Sequence, residues 1–226
     1  ASATVRLGFS GPLTPKSIYD FNVDTGEMTL LKQDPVTAWF KPELYAVERV
    51  QAPAADGTLV PVTLVYRKDM KREGGNPTLL YGYGAYGISE GPLFRPTWFS
   101  LVDRGFVFAV AHIRGGREMG RAWYDGGRMF NKMNTFTDFI AAGEALIAQG
   151  YADRTRLYAR GGSAGGLLMG AVTNLRPDLW SGIVAEVPFV DVITTMSDAT
   201  IPLTTFEYEE WGNPAIKDQY DYMMSY

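Results

Sequence analysis

The run Arg160-Gly161-Gly162-Ser163-Ala164-Gly165-Gly166 constrains this chain more than any other segment. A short apolar stretch, Arg156-Leu157-Tyr158-Ala159, leads into it, and Leu167-Leu168-Met169-Gly170-Ala171-Val172 leads out. Strand, tight turn and helix in that order are the context in which Gly-x-Ser-x-Gly marks a nucleophile elbow. The glycines carry the physical argument. The serine occupies a strained backbone position, and the segments before and behind it pass too close for Cβ atoms. The following helix sets the positive end of its dipole near an oxyanion developing at the serine. Yet no histidine follows Ser163, and the single histidine of the chain is His112.

Composition narrows the class. A length of 226 residues suffices for one large domain, or one domain plus a small piece of another. Hydrophobic residues at 46% and charged residues at 20% predict a globular chain with a real core. A net charge of −4 without a Lys/Arg cluster argues against nucleic acid or an anionic membrane as the main partner. No apolar run approaches a membrane span, and Ala1-Ser2-Ala3-Thr4 lacks the basic-then-apolar pattern of a signal peptide. Without cysteine there is no disulfide or thiolate nucleophile, and one histidine excludes most metal sites. No metal or cofactor is expected, and a cytoplasmic setting fits.

Along the chain, residues 17–23 alternate, Asp24-Thr25-Gly26-Glu27 turns, and residues 28–32 follow as the second arm of a hairpin. Asp34-Pro35 to Lys41-Pro42 reads as a linker, which places a boundary near residue 40. From there, residues 45–51 and 59–67 form an antiparallel pair around Asp56-Gly57. Residues 78–81, 106–113 and 183–187 are the short continuous apolar runs of buried parallel strands. A helix is predicted over residues 135–149, capped by Asn134 and stopped by Gly150, with Phe136, Phe139, Ile140, Leu146 and Ile147 on one stripe. This alternation predicts an α/β sheet with its active site at the carboxyl ends of the strands.

Acyl transfer at Ser163 needs an oxyanion hole. Elbow geometry offers the Ala164 N–H, and the second donor should come from the loop after the domain's third strand. There the chain reads Tyr81-Gly82-Tyr83-Gly84-Ala85-Tyr86-Gly87, so the Tyr83 hydroxyl is the candidate, against a bland reading of tyrosines packed on a Gly-rich turn. His112 precedes Ser163, whereas the triad order is Ser, Asp, His, so it reads as structural. Asp191 and Asp198 are the nearest later carboxylates and weak candidates for the acid. Phe206-Glu207-Tyr208-Glu209-Glu210-Trp211 sets carboxylates among aromatics. On an extended backbone Glu207 and Glu209 converge and suit a guanidinium; on a helix they part, and the stretch is a surface first turn.

Six ordered motifs then give a specific likeness: Tyr81-Gly82-Tyr83-Gly84, His112-Ile113-Arg114-Gly115-Gly116, Asn134-Thr135-Phe136-Thr137-Asp138, the elbow, Val187-Pro188-Phe189-Val190-Asp191-Val192, and Ile201-Pro202-Leu203 through Gly212-Asn213-Pro214. From about Ser17 to the last residue the chain resembles oligopeptidase B, in the prolyl oligopeptidase family of serine peptidases. The resemblance implies an α/β-hydrolase domain, here residues 41–226 and incomplete, preceded over residues 1–40 by the end of a β-propeller and a linker. It implies cleavage of short peptides after Arg or Lys, with Ser163 as nucleophile and Tyr83 with the Ala164 N–H as oxyanion hole. Glu207 and Glu209 match the carboxylates for a cationic P1 side chain, and Phe189 and Tyr208 fall where the wider family lines that pocket. Glu90, in Glu90-Gly91-Pro92-Leu93, stands slightly out of register with acidic residues that serve P2 in some members. The resemblance also implies that the triad Asp and His lie beyond Tyr226, on the remainder of the protein or a separate chain. Residues 1–226 alone are then expected to be inactive. The alternatives are a post-proline or acyl-peptide hydrolase of the same family, or a non-catalytic piece that only assembles with its remainder.

Overall fold

The computed structural model describes residues 2–36, 39–91 and 93–226. The chain opens with three antiparallel strands in sequential order: β1 (Thr4–Gly11), β2 (Thr14–Asn22) and β3 (Met28–Gln33). The β2–β3 hairpin is the one legible in the sequence. β1 is an addition to it, because Gly8, Ser10 and Gly11 dilute its alternation. Phe40 then stacks on Tyr45 at 5.5 Å and meets Phe99 edge-on at 4.8 Å, which pins the incoming chain to the larger sheet and its first helix.

That larger sheet has six strands: β4 (Tyr45–Pro53), β5 (Leu59–Arg67), β6 (Asn76–Tyr81), β7 (Val107–Ala111), β8 (Ala152–Gly162) and β9 (Gly182–Glu186). Their spatial order is β4-β5-β7-β6-β8-β9, with β4, β5 and β7 antiparallel in turn and β7, β6, β8 and β9 parallel. The chain passes from β6 to β7 on one side and returns to β8 on the other. The carboxyl ends of β6 and β8 therefore diverge into a crevice, where open α/β sheets bind ligands.

Among the described residues, six α-helices accompany the sheet: α1 (Pro96–Val102), α2 (Arg121–Asp125), α3 (Lys132–Ala148), α4 (Ala164–Leu175), α5 (Val192–Ser197) and α6 (Lys217–Met223). Both faces of the central strands are buried, which explains their continuous apolar runs. Leu64, Leu80, Ala109, Leu157 and Ala159 face α3 and α4, while Val65, Leu79, Phe108 and Val110 face Trp98, Phe99 and Val102 of α1. This is an α/β-hydrolase sheet preceded by propeller-type antiparallel strands.

α3 begins a turn before the expected Asn134 cap. A 3-10 turn at Met129–Asn131 runs straight into it, and the Asn134 amide instead donates to the Gly126 carbonyl at 2.9 Å. Its stop at Gly150 (φ 75°) and its stripe of Phe136, Phe139, Ile140 and Leu146 are as read. The same helix buries Asp138, which accepts from the Arg114 backbone N–H at 3.0 Å and from its guanidinium at 2.9 and 2.6 Å. Burial pushes the Asp138 carboxyl up and Arg114 pulls it back, while the pairing holds the guanidinium pKa above its ordinary value. Thr135 also holds this loop, donating to the Arg114 carbonyl at 2.8 Å. Two of the sequence motifs thus meet as one buried brace.

Candidate active site

Ser163 sits between the end of β8 and the first residue of α4, at φ 55° and ψ −118°. Few non-glycine residues hold such a backbone, and the surroundings over-determine it. A Cβ at Gly161 would lie 2.2 Å from the Gly165 carbonyl oxygen, and one at Gly165 2.7 Å from that of Gly82. Gly166 would strike Pro188 at 2.4 Å. The turn is tied to the next strand as well, since the Ser163 N–H donates to Glu186 at 2.9 Å and the Phe189 N–H donates to Ser163 at 3.0 Å. The Ala164 N–H, first in α4, lacks an acceptor inside its own helix, as every such group does.

Tyr83 is delivered from the neighbouring strand. Tyr81 of β6 pairs with Arg160 of β8, so Tyr83 lies two residues and Ser163 three residues beyond the same rung. The Gly82 N–H extends that ladder onto the Arg160 carbonyl at 3.2 Å. Gly82 has Phe139 where a Cβ would be, at 2.8 Å, and Gly84 turns at φ 71° against Thr135 and Ile113. The half-buried Tyr83 phenol has its pKa raised by burial, partly offset by hydrogen bonding with Ser163. It stays protonated at neutral pH, so its hydroxyl can donate.

The carboxylate-rich stretch is a helical turn, not the extended strand on which Glu207 and Glu209 would converge. A 3-10 turn over Thr204–Glu207 continues through bonds from the Glu210 and Trp211 N–H groups to the Glu207 carbonyl, at 2.9 and 3.0 Å. Residues two apart on such a turn leave on opposite sides. Glu207, half-buried, accepts on Oε2 from the Tyr86 hydroxyl and from Trp211 Nε1, both at 2.9 Å. Its Oε1 accepts from no described residue. Glu209 is exposed and borders a shallow hollow with Asp125, Arg128, Met129 and Phe130. Phe189 is half-buried with its ring 5.2 Å from Trp211, between the elbow and the Glu207 turn. Tyr208 packs on the main core.

Four further residues carry this geometry: the sequence placed Trp211 among the aromatics that wall the carboxylates and turned Glu210 away from Glu207, but it gave no role to Tyr86 or Lys132. Tyr86 (φ 58°) follows Tyr83 in the same loop and holds Glu207; burial and then Glu207 raise its phenol pKa. Trp211 is buried behind both. Glu210, also buried, accepts from the Tyr86 N–H at 2.8 Å and from the Tyr124 hydroxyl at 2.5 Å. Lys132 is the fourth. It lies four residues before Phe136, on the buried stripe of α3, and that position is the signal that could have found it.

The remaining candidates have local partners. His112, buried at the end of β7, meets Thr63 through Nε2 at 2.8 Å, with Glu118 at 3.7 Å from Nδ1. It stands two strands from β8, as a structural histidine should. Asp191 caps α5 through the Thr194 N–H, and Asp198 accepts from Thr200. Glu90 accepts from the Tyr81 hydroxyl at 3.2 Å and pairs with Arg95 at 3.5 Å. Among the described residues no cluster of His, Cys, Asp and Glu could hold a metal, and no helix is long and apolar enough to cross a membrane.

Known proteins resemble this chain closely. The chain is 56% identical over 98% of its length to dipeptidyl aminopeptidase BI of Pseudoxanthomonas mexicana and 48% identical, over 98%, to protease 2 of Moraxella lacunata. Oligopeptidase B from Leishmania major superposes over the whole chain with a TM-score of 0.94 at 48% identity. Oligopeptidase B from Trypanosoma brucei, with covalently bound antipain, does so at 0.94 and 50%. The chain spans 31% of the first relative and 32% of the second, and 31% and 32% of the two solved chains. The model of the prolyl oligopeptidase family matches residues 92–226, and the chain belongs to that family.

Proposed function

We propose that this chain carries the nucleophile, oxyanion hole and P1 pocket of a serine endopeptidase that cleaves short peptides after Arg or Lys. Ser163 Oγ attacks the scissile carbonyl, its proton passing to a histidine base supplied, with its Asp, from beyond residues 1–226. The new C–O bond leaves negative charge on the carbonyl oxygen, which the Tyr83 hydroxyl and the Ala164 N–H receive. Collapse expels the amine, protonated by the base, and leaves an acyl-enzyme that water then hydrolyses by the same route. No cofactor enters this scheme.

The observation that carries the specificity is the Glu207 carboxylate. It is held by two donors on Oε2 and has Oε1 open, beside the Phe189–Trp211 wall and across the Tyr83–Tyr86 loop from Ser163. A guanidinium or ammonium fits the open oxygen, whereas a proline or alanine side chain would leave a partly desolvated charge unpaired. Glu209, on the other side of the turn, bears on the pocket only through its field. The 48% and 50% identity to two solved oligopeptidase B chains supports the same reading.

The test is hydrolysis by the full-length protein of short peptides with Arg, Lys, Pro or Ala at P1. Arg is expected to be preferred, and Glu207→Gln is expected to lower kcat/KM for Arg by about two orders of magnitude, from loss of a charge-assisted pair. Glu209→Gln should cost less than tenfold. Preference for Pro or Ala, or a silent Glu207→Gln, would sink the basic-pocket reading.

A second reading, removal of dipeptides from a free N-terminus, draws on the 56% identity to a protein named dipeptidyl aminopeptidase BI. Blocking the peptide N-terminus separates the two: an endopeptidase keeps its rate and a dipeptide-releasing enzyme loses it.

A further inference from the structure

The buried Lys132 takes no part in the chemistry above, and a buried ammonium is costly unless it has partners. Its Nζ donates to the Gly84 carbonyl at 2.6 Å and to the Gly127 carbonyl at 3.2 Å, and lies 4.9 Å from the centre of the Trp211 ring. Gly84 is the residue after Tyr83; Trp211 is the residue that, with Tyr86, holds Glu207. Glu210 completes the arrangement from the other side. Its carboxylate attracts Lys132, takes the Tyr86 N–H and the Tyr124 hydroxyl, and its own carbonyl accepts from the Met129 N–H at 3.0 Å.

The loop over residues 82–87 is thereby gripped at two points, the Gly84 oxygen and the Tyr86 nitrogen, by two opposite charges that also bear on the Glu207–Trp211 turn. The loop needs such a grip. Gly84 and Tyr86 both have positive φ, and a Cβ on Gly115 would lie 2.1 Å from the Gly84 oxygen. Backbone held in this region relaxes once its partners are removed.

We infer that Lys132 and Glu210 are positioning residues that lock the Tyr83 loop to the Glu207 turn, so that the oxyanion donor and the P1 carboxylate are set by two buried side chains of opposite charge, one on the Gly84 carbonyl and the other on the Tyr86 N–H. This rests on the assignment of Tyr83 and Glu207 proposed above. A cationic P1 side chain on Glu207 then steadies, through Tyr86 and Trp211, the same loop that aims Tyr83.

The experiment measures kcat and KM per active site in the full-length enzyme, with sites counted by a fluorophosphonate titrant. Lys132→Met is expected to lower kcat per site on the order of 100-fold, as for a misaligned catalytic group, and to raise KM for a P1-Arg peptide. In a Tyr83→Phe background the kcat loss from Lys132→Met should shrink to less than about threefold, because both act through one donor. Should Lys132→Met fail to fold, Glu210→Gln is carried through the same cycle. It keeps the volume and an acceptor for the Tyr86 N–H while removing the charge. Full kcat and KM per site in either folded variant, with only yield or melting temperature reduced, overturns the inference. So do losses that multiply with Tyr83→Phe. A Tyr83→Phe enzyme of full activity overturns the reading of the site, and the clamp with it, whereas normal Lys132→Met beside a crippled Tyr83→Phe overturns the clamp alone.

Discussion

At the scale of single residues, the elbow glycines do different jobs although they stand side by side. Gly161 and Gly165 each face a carbonyl oxygen nearer than any Cβ can sit, whereas Gly162 has its nearest neighbour at an ordinary 3.4 Å and no positive φ. Gly161→Ala is therefore expected to cost about 1–3 kcal/mol through backbone displacement, and Gly162→Ala less than about 0.5 kcal/mol. Urea denaturation of the two variants checks this, and equal costs would contradict the close-approach argument. Tyr83→Phe belongs to the same scale. It removes one hydroxyl from a half-buried ring, so stability should hold while kcat falls about 100-fold to 1,000-fold, the ordinary effect of losing one oxyanion donor.

Between elements, the Arg114–Asp138 pair braces the loop after β7 against α3. Asp138→Asn leaves a largely buried guanidinium partly unpaired, and a loss of about 3–5 kcal/mol is expected in equilibrium unfolding. Asp56, in the β4–β5 turn, adds a solvent-facing arm to this brace and gives it a pH signature. The Thr58 backbone N–H, followed by the Arg114 guanidinium, holds its carboxyl at about 2, below the ordinary 3.8. A depressed carboxyl stabilises the fold fully above its unfolded value and loses that contribution as pH falls through the folded one. The contribution should fade between about pH 4 and pH 2, and Asp56→Asn should flatten that part of the acid-unfolding curve. An unchanged curve would show that Asp56 is not coupled to folding.

For the whole molecule, residues 1–226 on their own combine a formed elbow with a histidine that cannot serve it, since His112 is committed to Thr63 inside the sheet. Labelling of Ser163 by a fluorophosphonate in this chain alone is expected to be slower than in the full-length protein by about six orders of magnitude. Rapid stoichiometric labelling would mean that another group acts as base. Val187 and Phe206 are 85% and 84% exposed, and all of β3 is exposed as well. Apolar faces of this kind predict dye binding and self-association for residues 1–226 alone, measurable by ANS fluorescence and light scattering.

Local sequence determined the elements and the elbow. Continuous apolar runs named β6, β7 and β9 within two residues, the Asp56-Gly57 turn named β5 as one arm of a pair, the stripe of α3 was readable at helical spacing, and Gly-x-Ser-x-Gly fixed the strained turn because only glycine tolerates its contacts. What the sequence left open was how the distant segments around Glu207 meet. Glu207 and Glu209 converge or part according to a backbone choice that their spacing does not make, and the bonds to the Glu207 carbonyl decided for a helical turn. Tyr86, Lys132, Glu210 and Trp211 lie up to 125 residues apart, joined in one network by Trp211 Nε1 to Tyr86 and by Lys132 to Gly84. Periodicity reports which side of an element is buried; it does not report what charge waits there. Only the crossing of β6, α3 and the Glu207 turn brought a buried cation, a carboxylate and two loops to one place.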